Sequence, residues 1–182
     1  MFTAFPDFAH SSTLPPLAFH STTQTLLLPS SHPSSLQVYS LSSSKLHSEL
    51  EVSPSNRVSR PHEKPLTSPQ VDLVSVSSNG EWMATLDARD DPYDGFGMEV
   101  SLKIWRWGST GGRWELNTRI ERPHGLHHVR SIEFSPSGEG LLVSTGEDGN
   151  IKTWVERKVK EKKGDVDGLF ALFFQLHARV NP

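Results

Sequence analysis

The clearest pattern in the chain is a set of short apolar runs separated by tight-turn sequences in its C-terminal third. Residues 131–138 have the sequence Ser-Ile-Glu-Phe-Ser-Pro-Ser-Gly, and residues 141–154 alternate apolar with small or polar side chains before ending on Trp154. Such alternation is typical of half-buried β-strands, and Ser-Pro-Ser-Gly and Glu-Asp-Gly-Asn are hairpin-turn sequences. This segment therefore predicts three antiparallel strands joined by two hairpins.

The same pattern occurs twice more upstream. Residues 74–80, 82–86 and 102–105 correspond in order to the three runs of the C-terminal copy. A weaker copy covers residues 17–39, with Tyr39 at the position where the other copies have tryptophan. None of the copies has a helical period, so the chain is predicted to repeat one β unit.

Each of the first two copies is followed by a segment that can supply a fourth, outermost strand, at residues 45–52 and 114–120. Repeated four-stranded units are the signature of a β-propeller, in which four to eight blades of about 40 residues stack radially. We therefore expect an all-β fold, a partial β-propeller of about three four-stranded blades. Because a closed ring needs more blades, the sequence is expected to be a fragment or a truncated gene product.

These boundaries predict five segments along the chain. They are a weak first blade (residues 1–53), a Pro/Ser-rich linker loop (54–70), a second blade with an acidic insert (71–123), an incomplete third blade (124–156) and a charged and apolar tail (157–182). The apolar part of the tail is too short to cross a membrane. A strand, a short helix packed on the last blade and a misread non-coding stretch remain open for it.

Composition gives limited information on the cellular compartment and on the kind of partner. The chain has no cysteine, which excludes disulfides and thiolate zinc sites and suits a reducing compartment. A net charge of −3 argues against a chain-wide electrostatic attraction to nucleic acid. Neither a basic-then-apolar leader nor a bilayer-length apolar run is present, so no membrane association is expected and a soluble intracellular protein is the default.

No motif in the sequence predicts catalysis or a cofactor. The chain has no Gly-x-Ser-x-Gly elbow and no phosphate-binding loop, so no catalytic residue, cofactor or small-molecule substrate is expected. His124, His127 and His128 could suggest a metal, but no carboxylate is arranged with them as a ligand set. The spacing of the acidic group misses the EF-hand pattern and favours a solvent-exposed hairpin; its members are Asp87, Asp90, Asp91 and Asp94.

Four residues of the last copy are expected to form a structural hydrogen-bond network. Ser144, Asp148 and Trp154 have spacings that allow a strand hydroxyl, a turn carboxylate and an indole N–H to join, and His124 is the expected fourth member. Such a network satisfies polar groups that a sheet would otherwise bury unpaired.

Two polar, partly basic loops, at residues 57–64 and 124–128, are candidates for contacts with protein or RNA. For the loop at residues 57–64, a solvated linker is the alternative. The candidate contact residues are Arg57, Arg60, Lys64, His127 and His128.

Residues 134–138 and 145–154 resemble the WD-repeat signature. The aspartate of the Trp-Asp pair is absent, because Val155 follows Trp154 and Arg106 follows Trp105. His124 also lies one residue further from the next strand than the family spacing expects.

A more specific resemblance joins residues 79–87, 99–105 and 116–124. Together they resemble the WD-repeat family of U3 small nucleolar RNA-associated protein 17 and WD-repeat protein 75. The resemblance covers residues 71–154, whereas the tail after Val155 does not resemble the family.

This resemblance implies a non-catalytic scaffold of the small-subunit processome in the nucleus and nucleolus, which supports pre-18S ribosomal RNA processing and is linked to RNA polymerase I transcription. The implied partners are other processome subunits, the U3 small nucleolar ribonucleoprotein and, directly or indirectly, pre-ribosomal RNA. A generic WD-repeat adaptor in another nuclear or cytoplasmic complex is the alternative, and a propeller hydrolase would need convergent acidic or histidine side chains that the sequence does not offer.

Overall fold

The computed structural model describes most of the chain, and all of its regular structure is β-strand. The described residues are 15–54, 67–89, 98–108, 111–138 and 140–156, together with the backbone of 173–174 and 178–179. These residues form three antiparallel sheets. The predicted all-β fold is confirmed.

The first sheet is a four-stranded antiparallel meander. Its strands, in spatial order, are β1 (Ala18–His20), β2 (Thr25–Pro29), β3 (Ser35–Ser40) and β4 (Lys45–Glu51). Residues directly opposite one another include Phe19 with Leu26 and Leu26 with Tyr39.

The second sheet repeats this topology with longer strands. They are β5 (Gln70–Val76), β6 (Trp82–Arg89), β7 (Glu99–Trp107) and β8 (Trp114–Glu121). The β6–β7 ladder is continuous from Trp82 opposite Arg106 to Arg89 opposite Glu99.

The third sheet contains β9 (Val129–Phe134), β10 (Leu141–Gly146) and β11 (Asn150–Val155). Two short strands, β12 (Phe173–Phe174) and β13 (Ala178–Arg179), both pair antiparallel with β11 on its outer side. Backbone from the segment assigned to the tail therefore continues the third sheet.

Tight turns define the hairpins between these strands. Gly80, between β5 and β6, and Gly149, between β10 and β11, both have a φ of +73°. Glycine adopts this left-handed conformation without steric cost. The Asp148 carboxylate also accepts a hydrogen bond from the Asn150 backbone N–H at 3.1 Å, which stabilises the second turn.

The first strands of the three sheets lie next to one another. β5 contacts both β1 and β9, and the Phe134 backbone N–H donates to Ser75 Oγ at 3.2 Å. The sheets therefore stack face to face from a common inner edge, as blades do in a propeller.

The first interface core lies between sheets 1 and 2. It is built from aliphatic side chains of the first sheet and aromatic and aliphatic side chains of the second. Its buried members are Leu27, Leu36, Val38, Val52, Val71, Met83, Trp105 and Trp114.

The second interface core lies between sheets 2 and 3. Its buried members are Trp82, Ala84, Leu86, Val100, Leu102, Ile104, Val129, Ile132, Leu142 and Trp154. Alternate residues of β6 enter the two cores, with Met83 in the first and Trp82 and Ala84 in the second. Sheet 2 is buried on both faces, which explains why β6 is almost continuously buried.

Hydrogen bonds near the β1–β2 and β5–β6 turns join the first two sheets, at the end opposite to the connection between β4 and β5. His20 Nε2 lies 3.0 Å from the Gly80 carbonyl oxygen, and Thr22 Oγ1 donates to the Asn79 carbonyl at 3.3 Å. A Cβ added to Gly80 would lie 2.2 Å from Thr22 Oγ1, so this contact requires glycine.

Candidate functional site

One end of the stack, here called the loop end, brings the connections between sheets together. It contains the turn at residues 30–34 and the sheet-to-sheet connections that start at residues 52 and 122. The Val52 and Val71 backbone N–H groups donate to the Ser34 and Pro33 carbonyls, each at 2.9 Å. A turn of sheet 1 therefore holds both ends of the connection that leads into sheet 2.

The loop end of sheet 3 contains a continuous hydrogen-bond chain. His124 Nδ1 lies 2.8 Å from Asp148 Oδ1, and His124 Nε2 lies 2.9 Å from Ser144 Oγ. The Trp154 indole N–H donates to the same Ser144 oxygen at 3.0 Å. The structure thus brings together the four residues expected to form the network.

The partners of His124 define its tautomer. Because the Asp148 carboxylate can only accept, Nδ1 carries the proton and Nε2 accepts from the Ser144 hydroxyl. Burial lowers the pKa of His124 below its usual range, and Asp148 acts in the opposite direction. Burial raises the pKa of Asp148, but hydrogen bonds from Asn150 and His124 outweigh this effect and lower the pKa to about 2.

The imidazole of His124 packs directly on the backbone of Gly146. A Cβ at residue 146 would lie 2.4 Å from His124 Nδ1 and 2.5 Å from its Cγ. The histidine therefore occupies the space that a side chain at position 146 would fill.

Sheet 2 has a different network at the corresponding place. The Trp105 indole N–H donates to Thr85 Oγ1 at 2.9 Å, as Trp154 does to Ser144. Two residues further along β6, Asp87 accepts from Ser53 Oγ at 2.7 Å and forms an ion pair with Lys103 Nζ at 2.7 Å.

Asp87 therefore takes the place that His124 occupies in sheet 3. Thr85 corresponds to Ser144, so position 87 corresponds to Gly146, and the carboxylate fills the space above the strand. Asp87 is only 5% exposed. The expectation that Asp87 lies in a solvent-exposed hairpin is therefore wrong, and Lys103 compensates its charge inside the interface. The other members of the acidic group, Asp90, Asp91 and Asp94, lie outside the described residues.

Equivalent lysines bind the connections that lead into sheets 2 and 3. Lys103 Nζ donates to the Val52 carbonyl at 2.8 Å, and Lys152 Nζ donates to the Pro123 carbonyl at 2.5 Å. Burial lowers the pKa of Lys103, and the neighbouring Asp87 opposes this change. The sequence analysis did not predict this role, although the Lys-x-Trp spacing that β7 and β11 share is a signal that could have done so.

The candidate contact residues that the structure describes are exposed at the loop end. His127 and His128 lie in the connection between β8 and β9, and both are exposed. Arg57, Arg60 and Lys64 lie outside the described residues.

Asp72, at an irregularity in the β5–β6 pairing, was not singled out by its sequence context. Burial raises the pKa of Asp72 to about 6; the charge of His128 opposes the increase and that of Asp87 adds to it.

The described residues contain no group of three or more His, Cys, Asp or Glu side chains that could hold a metal ion. No helix in the same part of the chain is long and apolar enough to span a membrane.

The chain has three antiparallel β-sheets packed face to face, and in two of them a tryptophan indole N–H donates to a hydroxyl of the neighbouring strand. This arrangement is similar to that of WD-repeat propellers. Residues 17–172 match the family model described as the WD repeat-containing protein 75 second β-propeller. The chain belongs to this family. The match extends beyond Val155, so the expectation that the tail lacks the family's pattern is wrong as far as residue 172.

Several curated proteins are similar to the chain. WD repeat-containing protein 75 of Xenopus laevis is 36% identical over 92 residues, which are 47% of this chain and 11% of that protein. The Danio rerio protein of the same name is 30% identical over 125 residues, 68% of this chain and 14% of that protein. U3 small nucleolar RNA-associated protein 17 of Schizosaccharomyces pombe is 28% identical over 85 residues, 44% of this chain and 10% of that protein.

The chain thus spans between about a tenth and a seventh of the length of these relatives. Among solved structures, the Cps50 (Swd1) β-propeller domain of Myceliophteria thermophila superimposes with a TM-score of 0.50 at 9% identity, over 78% of this chain and 39% of that one. Kuenenia stuttgartiensis hydrazine synthase gives a TM-score of 0.51 at 11% identity, over 80% and 41% of the two chains. These two likenesses concern the fold alone.

Removing the Asp148 carboxylate tests the network of sheet 3. The Asp148→Ala variant leaves the His124 Nδ1–H buried without its partner, so we expect a loss of about 1–3 kcal/mol in the free energy of unfolding. The neighbouring Glu147→Ala substitution removes only an exposed ion pair with Arg130 and should cost less than about 0.5 kcal/mol. Denaturant titration measures both, and an unchanged Asp148→Ala variant would contradict a stabilising role.

A double-mutant cycle tests the charge pair of sheet 2. Lys103→Met leaves Asp87 buried without its counter-ion, so we expect a loss of about 3–5 kcal/mol. Adding Asp87→Leu removes the stranded charge, and the double variant should be more stable than Lys103→Met alone. Additive losses in urea titration would show that the two side chains do not act as a pair.

The pH dependence of stability tests the burial of Asp72. Its pKa is about 6 in the folded protein and ordinarily 3.8, so the folded state binds more protons in that interval and stability falls as pH rises from about 4 to 6. Asp72→Asn should remove this fall and gain about 1–3 kcal/mol over the wild type across the interval. Asp148→Asn is the opposite control, because folding lowers the pKa of the Asp148 carboxyl. The variant should therefore be less stable than the wild type above about pH 4. Parallel curves for Asp72→Asn and wild type would contradict the assignment.

Proposed function

We propose that the chain is part of a non-catalytic scaffold subunit of the small-subunit processome, acting in pre-18S ribosomal RNA processing in the nucleolus and linked to RNA polymerase I transcription. The observation that carries this proposal is the family match over residues 17–172. The similarity to a protein named for its association with U3 small nucleolar RNA supports it.

The geometry of the loop end supports a binding role in preference to a catalytic one. Both ring nitrogens of His124 are used internally, by Asp148 and Ser144, and Asp87 is enclosed by Ser53 and Lys103. A general base has to present an accessible lone pair to its substrate, and these side chains do not.

Exposed side chains around this closed interior are the proposed contacts. His127 and His128 extend from the connection that also carries His124, so the rigid network fixes the base of their loop. Arg57, Arg60 and Lys64 in the preceding connection are proposed to act with them. Other processome subunits, the U3 ribonucleoprotein and pre-ribosomal RNA are the proposed partners.

Affinity purification of the tagged chain from nuclear extract tests this function. We expect U3 RNA and processome subunits to co-purify, and a fluorescent fusion to accumulate in nucleoli. Recovery of an unrelated complex without U3 RNA would favour a general WD-repeat adaptor and overturn the proposal.

A matched pair of double variants locates the contacts. His127→Glu/His128→Glu places two acidic side chains at the loop end and should reduce U3 recovery several-fold. Ser42→Glu/Ser43→Glu adds two acidic residues to the exposed β3–β4 turn at the opposite end and should leave recovery unchanged. Equal recovery with both folded variants would remove the loop from the interface.

A further inference from the structure

A pocket of about 220 Å³ lies between the outermost strand of sheet 1 and the β7–β8 turn of sheet 2. Val38 and residues 47–50 of sheet 1 form one wall, and Trp107, Trp114 and residues 112–113 form the other. Most of this lining is apolar. Because an apolar protein cavity of about 150 Å³ holds benzene, the pocket has room for one aromatic side chain. We call it the outer pocket.

One wall of the outer pocket contains a buried hydrogen-bond donor without an acceptor. Trp114 is 7% exposed, and its indole N–H has no partner within the part of the chain that the structure describes. The indoles of Trp105 and Trp154, in contrast, both donate to hydroxyl groups of neighbouring strands. Buried polar groups are nearly always paired in native proteins, so an unpaired donor in a pocket wall favours a ligand that supplies an acceptor.

The aromatic rings next to Trp114 cannot supply this acceptor. The His20 ring centroid lies 4.6 Å from that of Trp107 and 4.9 Å from that of Trp114, and the two indoles are 5.0 Å apart. His20 Nε2 donates to the Gly80 carbonyl at 3.0 Å, so its Nδ1 is the free acceptor of the ring, and the Thr23 hydroxyl donates to that atom at 2.7 Å. The three rings are therefore held in place before a ligand arrives, and the acceptor for Trp114 has to come from outside their cluster.

Charges at the rim of the outer pocket favour a peptide over a nucleic acid as the ligand. Arg113 lines the pocket and is paired with Glu115 at 3.4 Å, and Glu49 lines the opposite wall. Among the described residues of this rim, two carboxylates thus accompany a single permanently charged cation. Binding of RNA relies on Lys and Arg side chains that neutralise phosphates, whereas a peptide can place a basic side chain beside Glu49.

We propose that the outer pocket binds an extended segment of a partner protein that inserts one aromatic side chain. A backbone carbonyl of this segment accepts from the Trp114 indole N–H, and a Lys or Arg next to the aromatic residue lies beside Glu49. The β7–β8 turn is at the end of sheet 2 opposite to the loop end, so the site is separate from the proposed contacts at His127 and His128. This proposal does not depend on the ribosomal function.

A peptide titration followed by ¹H–¹⁵N correlation spectra of the full chain tests this site. We expect acetyl-Lys-Phe-Lys-amide to move the Trp114 indole proton signal downfield, with saturation at roughly millimolar concentration because one buried ring supplies most of the affinity. The Trp114→Phe variant assigns that signal, since it removes one indole N–H. Acetyl-Lys-Ala-Lys-amide lacks the ring and should bind at least about tenfold more weakly.

A matched pair of tryptophan substitutions locates the binding. Ser48→Trp fills the outer pocket from β4 and should weaken binding of the Phe peptide at least about tenfold. Ser43→Trp places the same ring in the exposed β3–β4 turn, outside the pocket, and should bind the peptide as the wild type does. Circular dichroism reports whether both variants retain their strands. Equal affinities of the two folded variants, or of the two peptides for the wild type, would overturn the proposal, and so would a shift of the Trp114 signal by pentauridylate in place of the peptide.

Discussion

Burial of each sheet face against the next sheet is the constraint on which the rest of the structure depends. An isolated four-stranded sheet would expose alternate apolar residues on both sides, and only stacking removes them from water. β6 shows the consequence most clearly, because its Met83 side enters one core and its Trp82 side enters the other. Most polar groups buried in such interfaces must then find a partner inside the protein.

The two described interfaces satisfy that requirement in different ways at the same position. In sheet 3 a neutral histidine lies over Gly146 and is held by Asp148 from the turn. In sheet 2 the strand itself carries Asp87, and Lys103 neutralises it. Both arrangements bind the incoming connection to the strand below it, so the geometry of the interface is conserved between the repeats while its chemistry changes from a hydrogen-bond chain to an ion pair.

Local features of the sequence were sufficient to predict the blades. The alternation of apolar and polar residues, the Asp148-Gly149 turn and the tryptophan that ends the last run are all local properties of the sequence. The fold that they predicted is confirmed. The sheet 2 network could not be predicted in this way, because Ser53 and Asp87 are 34 residues apart and meet only when sheets 1 and 2 stack. Asp87 was grouped with the acidic residues that follow it, since nothing local separates a buried carboxylate from an exposed one.

Hydrogen bonds and ion pairs inside the protein also limit which residues can determine the specificity for a partner. Side chains such as His124 and Lys103 are occupied by contacts between sheets, so changing them alters the rigidity of the scaffold before it alters recognition. The exposed side chains of the second connection, such as His127 and His128, belong to neither core, and loop positions of this kind can vary at little cost to the fold. Membership of the propeller family therefore determines a rigid frame that holds the loops at fixed positions, whereas the fold by itself does not determine the function.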